Sequence, residues 1–349
     1  MTYIHTRWVR GLMLAAFPFY FTSLTAIAAD TAPMASTASQ EAKFSYIPTF
    51  HGVIRPRWEI DTKTGDQRFQ VRNARFSIEG KVMPQIGYFV QLDLCDQGKI
   101  KILDAYGKFD LVKGLMLQAG QFRMPFGVET FRAPANYYFA NRSFMAKQVM
   151  NYRAVGAKLS YTLPKTPLTL EAGAFNPANM ADHNVWSKTV AWSAKALYKL
   201  PAGFSLSAGY ASIKPGERRA NLIDGFAGWE NKNWLVCAEY MYEKYCNAKH
   251  KDAHSYLAFV DWHIPVKWWL FNRWSVQARY DGMTDHYSLA QTGDDTFDAA
   301  RQRVTIGSTL TYIFKAVHAD FRLNYEAYTQ WKGEGKSPDR FVAEIVVRF

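Results

Sequence analysis

From residue 46 onward, apolar and polar residues alternate along the chain with a period of two. In residues 341–349 every odd position is apolar, whereas the even positions include Glu344 and Arg348. Residues 318–330 and 273–281 show the same alternation. Because successive side chains of a β-strand point to opposite faces, this period predicts strands with one apolar and one polar face.

About sixteen such segments follow one another, and most contain about 9–14 residues. A tilted strand needs about 9–11 residues to cross a bilayer, whereas strands of soluble proteins are commonly about 5–6 residues long. The segment length therefore predicts an all-β fold, a transmembrane antiparallel β-barrel of about 16 strands over residues 44–349. The predicted strands are 46–60, 69–82, 86–95, 100–111, 115–126, 154–163, 168–176, 189–200, 204–214, 222–230, 233–245, 253–264, 273–283, 300–314, 318–331 and 339–349.

The connectors alternate in length as well. Those after even-numbered strands are short, except Pro265–Asn272, which is predicted to be longer. Short inner turns and longer outer loops are typical of outer-membrane barrels, and an even strand count places both termini in the periplasm. The longer connectors after odd-numbered strands are 61–68, 127–153, 177–188, 215–221, 246–252, 284–299 and 332–338.

The N-terminal sequence predicts that the protein is exported from the cytoplasm. Residues 1–29 have the pattern of a signal peptide: Arg7 and Arg10, an apolar stretch, and a small-x-small cleavage signal at Ala26-Ile27-Ala28. An uncleaved signal anchor is the alternative. Residues 30–43 are rich in Ala, Ser and Thr and are predicted to be a flexible leader. With the barrel, this predicts a location in the outer membrane of a Gram-negative bacterium.

The amino-acid composition excludes several classes of protein. A mean hydropathy of −0.24 excludes a helical membrane transporter, and an aromatic content of 16% excludes a disordered chain. Three cysteines exclude a disulfide scaffold, although a Cys95–Cys246 bridge stays open. Tyrosines near strand ends, including Tyr240, Tyr242 and Tyr245, are expected to form girdles at the membrane interface. Removal of residues 1–29 lowers the formal net charge from +12 to +10.

The longest connector, residues 127–153, is the candidate functional element. A barrel of about sixteen strands leaves a water-filled lumen, and whatever narrows and charges the lumen sets its selectivity. Aromatic residues within this connector predict that it folds inward and packs against the barrel wall, as a long third outer loop within the lumen. The candidate constriction residues are Glu129, Arg132, Arg142, Lys147 and Arg153.

Alternation also places charged side chains on the lumen wall. The candidates are Arg75, Lys108, Lys158, Arg279 and Arg322. Many wall charges are expected to pair across strands and to stiffen the wall without a further role. The leading prediction is a porin for passive diffusion of small hydrophilic solutes, with a modest anion preference and phosphate among the candidate solutes.

Two alternatives belong to other classes: an outer-membrane barrel hydrolase and an exported surface-binding protein without a pore. The sequence contains no G-x-S-x-G, and its eight histidines lack the H-E-x-x-H spacing. We therefore predict no catalytic residues, no cofactor and no metal site. The basic excess is assigned to the constriction, wall and loops, without a nucleic-acid partner.

Residues 74–129 resemble the phosphate-selective porin O and P family. The resemblance rests on Arg75-Phe76-Ser77-Ile78-Glu79-Gly80 and on Gly120-Gln121-Phe122-Arg123-Met124-Pro125-Phe126-Gly127, followed by Glu129. It implies a trimeric, sixteen-stranded porin whose third outer loop folds inward and in which arginines and a constriction lysine favour phosphate. Expected partners are outer-membrane lipid and lipopolysaccharide, and the barrel-assembly machinery through the terminal Phe349.

Overall fold

The computed structural model describes residues 45–96, 99–150, 152–177, 186–214, 218–247, 249–288 and 296–349. The predicted signal peptide, residues 1–29, and the predicted leader, residues 30–43, lie outside these ranges. Sixteen described strands form one closed antiparallel barrel, and two short strands form a separate hairpin.

The barrel strands follow the chain order. They are β1 (Thr49–Asp61), β2 (Gln67–Met83), β3 (Ile86–Asp96), β4 (Lys99–Val112), β5 (Leu115–Arg123), β6 (Arg153–Thr162), β7 (Leu168–Phe175), β8 (Ala191–Lys199), β9 (Phe204–Ile213), β10 (Ala220–Glu230), β11 (Trp234–Tyr245), β12 (Ala253–Trp268), β13 (Phe271–Met283), β16 (Arg301–Phe314), β17 (Val317–Trp331) and β18 (Arg340–Arg348). The hairpin consists of β14 (His286–Ser288) and β15 (Thr296–Asp298), within the predicted outer connector 284–299.

The barrel closes between its first and last strands. β1 pairs with β18, with Val53 opposite Arg348 and Trp58 opposite Ala343. Because lipid supplies no hydrogen-bond partners, a sheet in the membrane must close on itself so that no strand edge stays unpaired. The prediction of a sixteen-stranded transmembrane barrel is confirmed, and each barrel strand overlaps a predicted one.

The predicted ends of three strands, β5, β12 and β13, differ from the structure in an informative way. β12 continues to Trp268 and β13 begins at Phe271, so the prediction of a longer connector over Pro265–Asn272 is wrong. Trp268 and Phe271 pair directly across a two-residue turn. The register shifts after Pro265, which has no backbone N–H to donate to the neighbouring strand. β5 ends at Arg123 instead of residue 126, because there the chain leaves the wall and enters the lumen.

The outward face of the barrel carries two rows of aromatic side chains. On five strands, β8, β9 and β11 to β13, an outer and an inner aromatic residue are separated by six positions, about 20 Å along a strand. The two rows lie toward opposite ends of these strands, as is typical of the aromatic girdles at the two interfaces of a membrane. The pairs are Trp192 and Tyr198, Tyr210 and Phe204, Tyr240 and Trp234, Tyr256 and Trp262, and Tyr280 and Trp274.

Tyr245 does not belong to these rows, so its predicted place in an interface girdle is wrong. Its ring is buried in the lumen, and its hydroxyl group lies 2.9 Å from Nδ1 of His286. Its odd position in β11 places it on the face opposite Tyr240 and Tyr242.

The three cysteines are free thiols, so the Cys95–Cys246 bridge is not formed. Cys95 lies near the end of β3 and Cys246 follows β11, and these strands are far apart around the barrel. Helical structure in the described ranges is confined to short turns, and none is long and apolar enough to cross a membrane.

Candidate functional site

The connector between β5 and β6 folds into the lumen. We call residues 124–150 the inner loop. Its apolar side chains pack against the inside of the wall, where Phe126 and Met145 are fully buried. Two short 3-10 turns, Glu129–Phe131 and Pro134–Asn136, and a π-helical segment, Met145–Val149, shape its path. The predicted inward fold of the third outer loop is therefore confirmed.

Arginines of the wall bind the carbonyl groups of the inner loop. Arg55 donates to the Ala140 carbonyl at 2.7 Å, Arg279 to that of Asn141 at 2.9 Å and Arg322 to that of Tyr137 at 2.7 Å. Because a loop has few backbone partners of its own, its buried carbonyls need such donors. A guanidinium group has five N–H bonds and can serve the loop and the wall together. Two further arginines donate to loop carbonyls in the same way: Arg303 to Arg142 and Arg348 to Ala135.

Acidic and amide side chains of the wall accept N–H groups of the loop. Glu239 accepts those of Val128 and Glu129, at 2.6 and 2.8 Å. Asp281 accepts the Phe144 N–H at 2.9 Å. The inner loop is thus held from several sides of the barrel by complementary charged groups, which give stronger hydrogen bonds than neutral ones.

Buried charge networks connect these anchors. Glu344 accepts hydrogen bonds from Arg55 at 2.6 Å and from Arg322 at 2.8 Å. Arg303 contacts Asp281 and Glu326, both at 3.0 Å. Such pairs keep their charges only because each ion is matched and hydrogen-bonded. They reduce the unbalanced charge on this part of the wall.

Three of the five predicted constriction residues form contacts within the inner loop, and a fourth pairs with a nearby strand of the wall. Glu129 and Arg132 form a buried ion pair at 2.5 Å, and the Arg132 guanidinium lies over the ring of Tyr138. Arg142 donates to the Thr130 carbonyl at 3.1 Å. Arg153, the first residue of β6, pairs with Asp104 of β4 at 3.0 Å.

Lys147, the fifth, differs from the others. Its side chain is exposed to the lumen, and no described residue gives its ammonium group a hydrogen bond or an ion pair. Partial withdrawal from water, followed by the positive charges of Arg72, Arg303 and Arg340, lowers the pKa of Lys147 to about 8, against a weaker effect of Glu326. Lys147 therefore lies within a group of cations at the outer side of the inner loop.

The five predicted wall residues all point inward. Arg279 and Arg322 hold the inner loop, Lys158 pairs with Glu171 at 2.5 Å, and Arg75 pairs with Asp93 at 2.8 Å. The Lys108 ammonium group lies 5.4 Å from the centre of the Tyr106 ring.

Sequence reasoning places Glu239 and Arg303 on the lumen face by alternation, but it missed Arg55 and Arg72 as parts of this site. Alternation along β1 could have indicated Arg55, because it shares the polar phase of Glu59. Nothing in the alternation indicates Arg72, which is the extra residue of a bulge opposite the step from Arg55 to Pro56. Arg72 has no hydrogen bond or ion pair with any described residue.

In the part of the chain that the structure describes, no group of three or more His, Cys, Asp or Glu side chains is placed to hold a metal ion. The site therefore consists of the inner loop, its anchors on the wall and the cations around Lys147. This arrangement can narrow an aqueous lumen and can present positive charge to a passing solute.

Residues 65–349, which include all but the first barrel strand, match the family described as "Putative beta-barrel porin-2, OmpL-like". The chain belongs to this porin family. It is therefore a porin of the outer membrane. No curated protein sequence is significantly similar to it.

Solved structures agree with this porin in fold. OmpT of Vibrio cholerae, described in a trimer form, is 11% identical with a TM-score of 0.57, and the match covers 87% of this porin and 98% of OmpT. The anion-selective porin from Comamonas acidovorans is 12% identical with a TM-score of 0.58, covering 86% and 98%. OmpF of Salmonella typhi, in complex with daunomycin, is 15% identical with a TM-score of 0.58, covering 86% and 97%.

Proposed function

We propose that this porin lets small hydrophilic solutes diffuse passively across the outer membrane, with a modest preference for anions. The observation that carries the preference is the Lys147 ammonium group, exposed in the lumen and unpaired among the described residues. Arg72 and Arg340 belong to the same group of cations. Unpaired charge in a narrow passage attracts counter-ions, because low-dielectric walls concentrate its field.

The remaining lumen charges support this proposal by their pairing. Arg55 and Arg322 share the carboxylate of Glu344, Arg322 also lies 3.6 Å from Asp320, and Arg303 pairs with Asp281 and Glu326. A charge paired at close range contributes little field at a distance. The selectivity therefore rests on the few cations around Lys147, and the large number of arginines in the barrel does not set it.

Reversal potentials in planar bilayers under a potassium chloride gradient test this proposal. We expect the native porin to favour chloride, Lys147→Glu to lose or reverse that preference, and Lys147→Arg to keep it. Lys336→Glu is a matched control, since Lys336 is exposed in the loop between β17 and β18, outside the lumen constriction. Cation preference of the native porin would overturn the anion proposal, and absence of conductance would overturn the channel itself.

The resemblance of residues 74–129 to the phosphate-selective family raises the question of whether this porin selects phosphate among anions. If Lys147 and Arg72 hold phosphate, added phosphate should inhibit the chloride current of the native porin and should inhibit that of Lys147→Glu much less. A current insensitive to phosphate would leave a general anion preference and would exclude phosphate selectivity.

The same recordings, together with a lipase assay, distinguish a channel from the two alternatives. A hydrolase would show lipase activity, and a surface-binding protein without a pore would show no conductance.

A homotrimer is proposed for this porin, supported by the trimer form of OmpT of Vibrio cholerae. Native mass spectrometry of the detergent-extracted protein tests this assembly, and a purely monomeric mass would contradict it.

A further inference from the structure

A buried cluster of three polar side chains fixes the base of the outer hairpin β14–β15. Nδ1 of His286, the first residue of β14, lies 2.9 Å from Oε2 of Glu243 and 2.9 Å from the hydroxyl group of Tyr245. The Tyr245 hydroxyl lies 3.2 Å from Oε2 of Glu243 and accepts the backbone N–H of Tyr287 at 2.9 Å. One phenol group thus joins the wall strand β11 to the hairpin.

The hairpin rests on the inner loop. β14 contacts the π-helical segment Met145–Val149, which carries Lys147, and the ring of Tyr287 packs against the apolar cluster inside the barrel. Tyr287 also stacks on His250 of the outer loop that follows β11, with ring centroids 3.9 Å apart. The cluster around His286 therefore sets where the hairpin lies relative to the loop that narrows the lumen.

The charge of His286 decides how well this cluster is matched. Glu243 is buried, and His286 is its only ion-pair partner in the part of the chain that the structure describes. A carboxylate only accepts hydrogen bonds, so Nδ1 of His286 carries a hydrogen whether the imidazole is charged or neutral. Deprotonation therefore keeps the hydrogen bond but removes the counter-ion, and a buried carboxylate without a counter-ion is strongly destabilising.

The other charged groups next to His286 have partners or functions of their own. Asp298 faces His286 across the hairpin and pairs with Arg301. Asp285, at the base of the hairpin, accepts a backbone N–H at 2.9 Å. Lys147, on the inner-loop segment that β14 contacts, has a pKa lowered to about 8 and stays largely cationic in neutral and acidic solution.

His250 is the second imidazole in this region, and its surroundings are positive. Burial, followed by the charges of Arg218 and Lys249, lowers the pKa of His250 below its usual range. His250 therefore stays neutral under conditions in which an imidazole beside a carboxylate is charged. Of the two histidines, His286 is the one whose charge bears directly on the fit of the hairpin.

We propose that His286, Glu243 and Tyr245 form a pH-sensitive latch, which holds the hairpin against the inner loop when His286 is protonated and releases it when His286 is neutral. Histidine changes its charge between about pH 5 and 8, so the latch is closed at the acidic end of this range and open at the alkaline end. A closed latch keeps the outer mouth of the lumen narrow. This inference rests on the proposed channel for hydrophilic solutes and does not involve the anion preference.

Swelling of proteoliposomes in arabinose at pH 5.5 and pH 8 tests the latch in the full-length porin. Arabinose is uncharged, so its entry reports the open area of the lumen and not the charge of Lys147. We expect the native porin to admit arabinose at least twofold faster at pH 8. His286→Gln keeps a hydrogen-bond donor but cannot become cationic, and it should admit arabinose equally fast at both values.

The matched control is His263→Gln. His263 also pairs with a carboxylate, that of Asp261 at 3.2 Å, but it lies near the inner end of β12, away from the hairpin. This variant should keep the pH dependence of the native porin. If His263→Gln abolished the dependence and His286→Gln retained it, the latch would be assigned to the wrong residues and the proposal would be overturned.

Glu243→Gln tests the latch from the side of the wall. It removes the charge that favours protonated His286, so arabinose entry should no longer depend on pH, and heat-modifiable migration on a gel will show that the barrel is intact. Hydrogen exchange at Tyr287, compared with the intrinsic rate at each pH, should be slower at pH 5.5 in the native porin only. A native swelling rate that does not change with pH would overturn the latch, whereas no swelling at either pH would overturn the channel itself.

Discussion

The carboxylate of Glu239, in the middle of β11, accepts a hydrogen bond of 2.6 Å from the backbone N–H of Val128, 111 residues earlier in the chain. The neighbouring N–H of Glu129 donates to the second oxygen at 2.8 Å. One side chain of the wall thus fixes the point at which the inner loop turns across the lumen. Hydrogen bonds to a charged group of this kind contribute about 1.5–3 kcal/mol each.

Loss of this anchor should loosen the inner loop without opening the barrel. Glu239→Gln keeps the size of the side chain but replaces one accepting oxygen by a donor, which cannot bind a backbone N–H. We expect larger and noisier single-channel currents, with heat-modifiable migration retained. Glu334→Gln, at an exposed position between β17 and β18, is the control and should behave as the native porin does. Unchanged currents in Glu239→Gln would show that the other anchors suffice.

The anion preference should fall as pH rises through the pKa of Lys147. A lysine is cationic below its pKa and neutral above it, and this pKa is lowered to about 8. The ammonium form should therefore decrease from about nine-tenths at pH 7 to about one-tenth at pH 9. Reversal potentials measured between pH 6 and 9.5 report this change. In Lys147→Arg the preference should stay constant over the same range, since a guanidinium group remains protonated.

Removal of the Glu344 carboxylate should destabilise the folded porin strongly. Glu344 is matched to Arg55 and Arg322 inside the wall, and Glu344→Ala leaves Arg55 without its counter-ion and Arg322 with only Asp320, 3.6 Å away. Breaking a buried pair in this way costs about 3–5 kcal/mol. Urea unfolding in detergent, followed by tryptophan fluorescence, measures the loss. Glu334→Ala should change the midpoint little, and an equal effect of both substitutions would contradict the importance of the network.

The terminal Phe349 closes over Gly52 at the junction of the first and last strands. Their backbones exchange hydrogen bonds of 2.8 and 3.1 Å, and a methyl group on Gly52 would lie 2.3 Å from Cζ of Phe349. Gly52→Ala should displace the ring, and because Phe349 is half-exposed the loss of stability should be about 1 kcal/mol or less. Gly225→Ala is the control, because a methyl group there meets no atom within 4 Å.

A double-mutant cycle separates the ring contact from other effects. If Gly52→Ala acts by displacing the Phe349 ring, it should cost little once Phe349→Ala has removed that ring. The temperature at which the barrel loses its heat-modifiable form gives the four stabilities. Additive effects would show that the two residues act independently.

The same two residues show why sequence reasoning could find the junction but not its packing. The terminal aromatic residue lies in phase with the apolar face of β18, which the alternation shows directly. That its ring rests on Gly52 depends on the register between strands nearly 300 residues apart along the chain, which hydropathy does not encode.

The sequence by itself determined the barrel, its strands and the inward fold of the loop. These follow from local rules: a period of two, strands long enough to cross a bilayer, and a backbone that must pair completely in lipid. Only the tertiary structure decided which charges stay unpaired. Arg132 and Lys147 are equally plausible from sequence, yet Arg132 is matched by Glu129 whereas Lys147 faces the lumen. The partners that neutralise a wall arginine stand far away along the chain, as Glu344 stands 289 residues from Arg55, so three-dimensional closure alone brings them together.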